Sequence, residues 1–451
     1  PSPVLTVPEA SPEARRATTN SPDGKNATTV KVREWVLEGC TLLPKGKTDD
    51  LLKPFINSSL SIKQIQKAAA SIQRAYDDAG WVARVSLPQQ NITDGIVRIQ
   101  VAEARLGSVI LGEDAPTRVN PEVVKAIVSY PLTHGGPLNT TQVNRGLLLA
   151  DDLMGVSVTG QLKSGKDAGA TDVVVLQLKE PAAMFEAGVD NGNARSVGEW
   201  RALVSGMWLS PAGLGESYSF QTLKSEGAEY IRLGASAPLG SSGLKGNLAI
   251  GKLDYKVVIK GADGLVPDIS GSALNMVADI AYPLLRSRAQ NLYITTGLEQ
   301  RDYKSFINAN KENDYRVTAY SLGISGNHFD NFGGAGTNAY DLSIISGRVK
   351  MLDLSSANDA NTLGDYNKLR WSFSRQQALA KGLTFFVGLQ GQLTGDKLLD
   401  SSENMSLGGP SGVRAYPVGE ASGSQGTVAN VELRWSHSAQ WLFTPFIDFG
   451  N

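Results

Sequence analysis

The chain has 451 residues with 43 Lys and Arg against 44 Asp and Glu, a formal net charge of -1, so no excess of positive charge marks it for nucleic acid or an acidic lipid surface. Forty-eight glycines with 41 % hydrophobic and 19 % charged residues suit a turn-rich β protein of more than one domain, and the one cysteine, Cys40, closes no intramolecular disulfide and reads as a small buried hydrophobe in a strand. No window approaches the roughly 18 apolar residues of a membrane helix, which excludes a helical membrane protein but not a β-barrel, whose strands need only about 10 residues of alternating polarity.

Residues 1–27 are rich in Pro, Ser, Thr and Asn and read as a linker. The opening "PSPVLTVPEASPEARR" lacks the basic end, apolar core and cleavage site of a signal peptide, so any export signal is expected to have been removed.

Residues 28–103 form a first small α+β module. "TVKVREWVLEG" predicts one strand and "TDDLLKPFI" a short helix. In "SIKQIQKAAASIQRAYDDAGW" the residues Ile62, Ile65, Ala68, Ala69, Ile72 and Tyr76 fall at helical spacing, with Ser61 placed to cap the start and Gly80 to stop the end. "ARVSLPQQNITDGIVRIQVAE" then predicts a hairpin turning at Asp94-Gly95. The same order recurs over residues 104–180: "ARLGSVILG" as strand, "NPEVVKAIVSY" and "NTTQVNRGLLLADDLMG" as helices, "VSVTGQLKSG" and "TDVVVLQLKE" as strands. The endings "VRIQVAE" and "VVLQLKE" are alike, so the two modules read as a tandem repeat of about 75 residues.

From residue 183 to 451 helical periodicity gives way to alternation. In "NKLRWSFS" Leu369, Trp371 and Phe373 alternate with Lys368, Arg370 and Ser372, and in "TVANVELRWS" Ala429, Val431, Leu433 and Trp435 alternate with Asn430, Glu432 and Arg434. Long segments with one apolar and one charged face, joined by turns and loops of unequal length, predict an antiparallel transmembrane barrel with its polar face inward. About thirteen such segments are readable, the first near Met184 and the last near Gln440. Bacterial single-chain barrels have even strand numbers, so about three further strands are expected beyond Asn451.

Chemistry-bearing motifs are sparse. His134, His328 and His437 are far apart without metal-ligand spacing, so neither a metal site nor a catalytic residue is expected. "GKT" at Gly46 to Thr48 lacks the earlier glycine of a P-loop, so no nucleotide or other cofactor is expected. "GGPSGV" is not a nucleophile elbow, because Val413 stands where a glycine is required, and "FGGAG" at Phe332 to Gly336 reads as a loop between strands.

One loop stands out. "GGPSGVRAYPVGE", Gly408 to Glu420, places a lone arginine among glycine, proline and small residues between the eleventh and twelfth segments. Two α+β modules followed by a β-barrel with "VRAY" in this loop resembles the outer-membrane transporters of two-partner secretion, relatives of the barrel-assembly insertases. "FID" near the end and "GVDNGN", Gly188 to Asn193, resemble the same family.

The resemblance implies two periplasmic POTRA domains and a barrel of sixteen strands in the outer membrane of a Gram-negative bacterium. It implies that the sixth outer loop folds inward carrying Val413, Arg414, Ala415 and Tyr416, with alanine where the family has glycine. Phe446 and Asp448 would supply the partner motif on the thirteenth strand, with Arg414 reaching Asp448. Arg370, Asn430, Glu432 and Arg434 would line the lumen. The implied partner is a secreted exoprotein (an adhesin, haemolysin or contact-dependent toxin) presenting an N-terminal secretion domain. A plugging N-terminal helix, usual in the family, is not legible before residue 28. The competing readings are an insertase for other barrels and a plain porin.

Overall fold

The computed structural model describes residues 5–6, 29–92, 94–112, 118–167, 169–179, 181–259, 267–353, 362–395 and 397–451. Most of the expected 1–27 linker therefore lies outside the described residues. Two compact units divide the chain, Pro1–Lys179 and Glu180–Asn451.

In the first unit, Leu5–Thr6 is β1, and a first module holds β2 (Thr29–Val32), β3 (Glu34–Glu38), α1 (Lys45–Leu52), β4 (Ser58–Ser61), α2 (Ile62–Asp78), β5 (Ala83–Ser86) and β6 (Ile96–Glu103). Ser61 caps α2 in a reciprocal box with Gln64, and Gly80, at φ +76°, follows its end. Ile65, Ala68, Ala69, Ile72 and Tyr76 are buried, but Ile62, the first helical residue, stays 64 % exposed. Wholly buried Ile72 contributes about 2 kcal/mol by leaving water.

Two readings of this stretch, the single strand and the place of Cys40, need correction, and the "GKT" segment takes its position between them. "TVKVREWVLEG" is two strands, because the Arg33 and Glu34 amides both donate to the Gly95 carbonyl and turn the chain from a pairing with β4 to one with β6. The "GKT" residues lie in the first half of α1, with the Thr48 hydroxyl bonded to the Lys45 carbonyl. Cys40 follows β3 rather than lying in a strand, and is only partly buried.

The second module holds β7 (Arg105–Leu111), α3 (Pro121–Ser129), α4 (Thr140–Asp151), β8 (Val156–Ser164) and β9 (Ala170–Lys179). Its strand order, β7-β9-β8 with β7 parallel to β9, repeats the β3-β6-β5 order of the first, where β3 is parallel to β6. α3 and α4 can meet closely because Gly146 has no side chain: a Cβ there would sit 2.4 Å from the Val128 carbonyl oxygen. β1 pairs in parallel with β8 at Gly160 and Gln161.

The second unit is an antiparallel wall. Its strands are β10 (Ala183–Asp190), β11 (Arg201–Leu209), β12 (Ser217–Ser225), β13 (Ala228–Pro238), β14 (Lys245–Lys256), β15 (Ile269–Arg286), β16 (Gln290–Ile307), β17 (Asn310–Asp330), β18 (Gly336–Met351), β19 (Gly364–Ala380) and β20 (Leu383–Thr394). A loop carrying the two-residue strands β21 (Met405–Ser406) and β22 (Ser422–Gly423) leads to β23 (Gly426–Ser436), which pairs with both β24 (Leu442–Phe443) and β25 (Phe446–Gly450). Among the described residues this makes thirteen strand positions, the last in two pieces separated at Thr444 and Pro445, where proline cannot donate to the ladder.

Register sorts the faces. Leu342 and Ile344 of β18 stand opposite Trp371 and Leu369 of β19, while Asp341 and Ser343 stand opposite Ser372 and Arg370. Leu342 and Ile344 belong to an exposed apolar band, with Leu369 and Trp371 half-buried beside them, and Asp341, Ser343, Arg370 and Ser372 line an inner cavity of about 640 Å³ that Trp371 also borders. The expectation of a uniformly polar inner face fails at one end of β16–β19. There Tyr315, Val317, Val349 and Tyr366 are buried in one cluster with Tyr303, covered by Leu399 of the loop. Phe332–Ala335 lies in the tight connection between β17 and β18, and Gly336 opens β18.

The two modules of the first unit are joined by backbone. Thr140 donates to the Gly80 carbonyl at 2.8 Å, the Val82 amide donates to the Leu138 carbonyl at 3.0 Å, and the Asn139 side chain caps α4 while reaching the Ala79 carbonyl. Next to this joint Glu103, the last residue of β6, accepts from the Thr41 amide at 2.7 Å, the Leu42 amide at 2.9 Å and the Tyr76 hydroxyl at 2.6 Å. Burial raises the Glu103 carboxyl, but these bonds outweigh it and hold it below its ordinary value of 4.5. Its stabilisation is therefore present above that value and lost as pH falls through the lowered one. Glu103→Ala is expected to destabilise the first unit by about 2 kcal/mol in neutral denaturant titrations, with the gap to the unsubstituted chain closing in acid.

Candidate functional site

The loop from 397 to 425 turns sharply at its tip. The Val413 amide donates to the Leu407 carbonyl at 2.8 Å, Gly409 to Tyr416 at 3.0 Å and Tyr416 to Val413 at 3.1 Å. Gly412 makes this path possible, since a Cβ there would fall 2.0 Å from the Leu407 oxygen. Ala415, by contrast, is exposed and does not have a positive φ. The departure from glycine at that position therefore brings no backbone strain.

Arg414 is the centre of the contacts. Its Nε donates to Asp448 Oδ2 at 2.8 Å and its Nη2 to Oδ1 at 2.6 Å, the planar two-pronged geometry that lysine cannot reproduce. Its backbone amide also donates to Asp448 Oδ2 at 3.0 Å, and Nη1 reaches Glu432 Oε1 at 2.7 Å. The guanidinium carbon lies 3.7 Å from the centroid of the Phe446 ring, adding a cation–π contact. Asn430 bridges Asp448 at 2.8 Å to the Gly412 carbonyl at 3.0 Å.

Burial decides how strongly these charges depend on one another. The Asp448 side chain is 3 % exposed and Glu432 10 %, whereas Arg414 keeps 26 %. Without the Arg414 guanidinium the Asp448 carboxylate would keep the residue-414 amide and the Asn430 bond but no cation, in a place nearly closed to water. Removing one partner of such a pair is costlier than removing both.

The expected site residues do not all converge. Val413, Arg414, Phe446, Asp448, Asn430 and Glu432 meet, and Arg434 joins them at second hand through Glu432 Oε2 at 2.7 Å. Tyr416 is 56 % exposed and makes none of these contacts; with Arg414, Ala415 and Arg195 and Glu199 of the β10–β11 connection it lines a cavity of about 630 Å³. Arg370 stands apart, on the wall of the 640 Å³ cavity.

Reading the sequence missed Leu407, Gly412 and Phe386, whose ring lies 4.4 Å beneath Arg434. The glycine in "GPSGV" was a signal for Gly412; nothing local marks the other two. It also missed Glu403, treated below.

Comparison with known proteins follows the same outline. The family described as haemolysin secretion/activation protein ShlB/FhaC/HecB matches residues 169–451, and the ShlB-type POTRA domain matches residues 30–104. The outer membrane transporter CdiB of Escherichia coli O6:K15:H31 is 25 % identical over 417 residues, spanning 89 % of this chain and 68 % of the relative. The heme/hemopexin transporter protein HuxB of Haemophilus influenzae 86-028NP is 22 % identical over 400 residues, spanning 86 % and 69 %. The solved structure of CdiB from Escherichia coli superposes with a TM-score of 0.76 at 22 % identity, over 96 % of this chain and 82 % of that one, which places the barrel fold. The chain therefore belongs to the haemolysin secretion/activation family, outer-membrane transporters in which a POTRA domain precedes a β-barrel.

Proposed function

We propose that the chain moves one specific exoprotein, unfolded, from the periplasm to the cell surface by two-partner secretion. In this reading residues 28–103 and 104–180 are two POTRA domains that take hold of the client through its N-terminal secretion domain. The barrel of residues 183–451 is the conduit, and the loop bearing Arg414 closes it. The topology shared by the two modules supports the second domain. The β8 edge suits an extended client, because it accepts β1 there as an added strand, the mode in which backbone bonds give affinity and alternate side chains give selectivity. Folding of the client outside the cell biases its passage.

The observation that carries the proposal is the Arg414–Asp448 pair, which seats a long loop against the inner wall of a barrel whose polar face is turned inward. Loss of the two-pronged bond is expected to shift the seated-to-released ratio by about 2 kcal/mol, roughly thirtyfold.

The test is secretion of the cognate exoprotein, with outer-membrane levels matched. Arg414→Ala and Asp448→Ala are each expected to abolish export, and the double variant to be no worse than either, because the first change already strands the carboxylate. Arg414→Lys is expected to recover only a small part of export, since it keeps the charge and loses the fork. Normal export by all of these variants would refute the proposed role of the loop.

A further inference from the structure

The loop has a second attachment, built from residues that the Arg414 contacts do not use. Glu403 ends the short 3-10 turn Ser401–Glu403, and its side chain is 1 % exposed. Its carboxylate lies 2.8 Å from Arg301 Nη1 on β16 and 2.7 Å from Lys368 Nζ on β19, and its backbone carbonyl accepts from Lys368 at 3.0 Å and from Gln392 of β20 at 2.9 Å. Two residues in a row before the turn add to this. The Asp400 carboxylate accepts from the Tyr315 hydroxyl of β17 at 3.1 Å, and Leu399, 4 % exposed, completes the inner apolar cluster of Tyr315, Val317, Val349 and Tyr366.

These contacts differ in kind from those of the tip. A buried carboxylate between two cations, backed by a packed leucine, combines charge, hydrogen bonds and area removed from water, and each is lost only if the whole segment lifts. The tip has one charged anchor, a guanidinium that keeps 26 % of its surface, and beside it only single hydrogen bonds, from Asn430 to the Gly412 carbonyl, from Gln390 to the Ser411 carbonyl and from the Arg414 amide to Asp448. Between the two attachments run residues 404–412, with Gly408, Gly409 at φ +108° and Gly412 among them. Nine residues can span up to about 30 Å when extended, enough for the tip to swing while its root stays in place.

We propose that Glu403, with Asp400 and Leu399, is the fixed root of the inward loop and a positioning residue for transport: the tip leaves Asp448 while Glu403 remains between Arg301 and Lys368. The idea rests on the reading of the loop as the closure of the conduit, but its test does not pass through secretion.

Nitroxide labels are placed singly on cysteines at Ser401, beside the root, and at Ser411, on the tip, in the full chain with Cys40→Ser, folded in outer-membrane vesicles. Both positions are exposed. With Arg414→Ala the label at 411 is expected to change from an immobilised to a mobile line shape while the label at 401 does not change. With Glu403→Gln the label at 401 becomes mobile. Leu399→Ala, which strands no charge, serves as the second variant should Glu403→Gln fail to assemble, and is expected to mobilise 401 as well. Equal mobilisation of both labels by Arg414→Ala, or an immobile 401 label in the assembled root variants, would overturn the proposal. If the labels behave as expected while client export is normal in Arg414→Ala, the root stands and the secretion role of the loop falls.

Discussion

A carboxylate with 3 % of its surface exposed, Asp448 on the last strand position, has to be met by a cation brought from elsewhere. None is available on its own strand, and the nearest acidic neighbour, Glu432, needs neutralising as well. Arg414 answers both, using Nε and Nη2 for one carboxylate and Nη1 for the other. The path of the loop follows from this requirement. Gly412 lets the backbone pass Leu407, Asn430 holds the turn from below, and Phe446 presents its face to the guanidinium. An arginine in this position is an orienting device more than a source of global stability, because part of it stays in a wet interior.

The first unit obeys a related rule at a smaller scale. Glu103 ends the central strand of its module and gathers the amides of Thr41 and Leu42, which follow β3, with the Tyr76 hydroxyl from α2. The next residues then exchange backbone bonds with the second module, so the orientation of one small sheet to the other is set by main-chain geometry around Gly80 and Asn139. If the two modules take up an extended client as proposed, a joint set by main-chain bonds helps, since edges held in register need no ordering when the client arrives.

What the sequence disclosed and what it hid divide along physical lines. Alternation at residues such as Leu369, Trp371 and Phe373 gave away the wall, because a strand in lipid must keep one face apolar along its length. Arg414 was legible for the opposite reason: one charge in a run of glycine and proline has no local use. The break at Arg33 left only a one-residue slip in the alternation, from Val30 and Val32 to Trp35 and Leu37, and the Gly95 carbonyl that bends the chain there is over sixty residues away. The inward apolar cluster was hidden too. Alternation assigns faces but does not say that Tyr315 and Val317 meet a loop leucine instead of water. Glu403 in "DSSENMS" looks like any solvated turn, and only the fold brings Arg301 and Lys368 to it.

The central claim, that the polar face of this wall is the path of an unfolded client, is tested most directly by site-specific photocrosslinking to a stalled export intermediate from neighbouring positions on one strand. Ser372 of β19 faces the inner cavity and Phe373 belongs to the outer apolar band. A crosslinking amino acid at 372 that captures the client while the same group at 373 does not is the predicted result. Capture from 373 alone, or from neither position while the client is demonstrably in transit, would contradict the account.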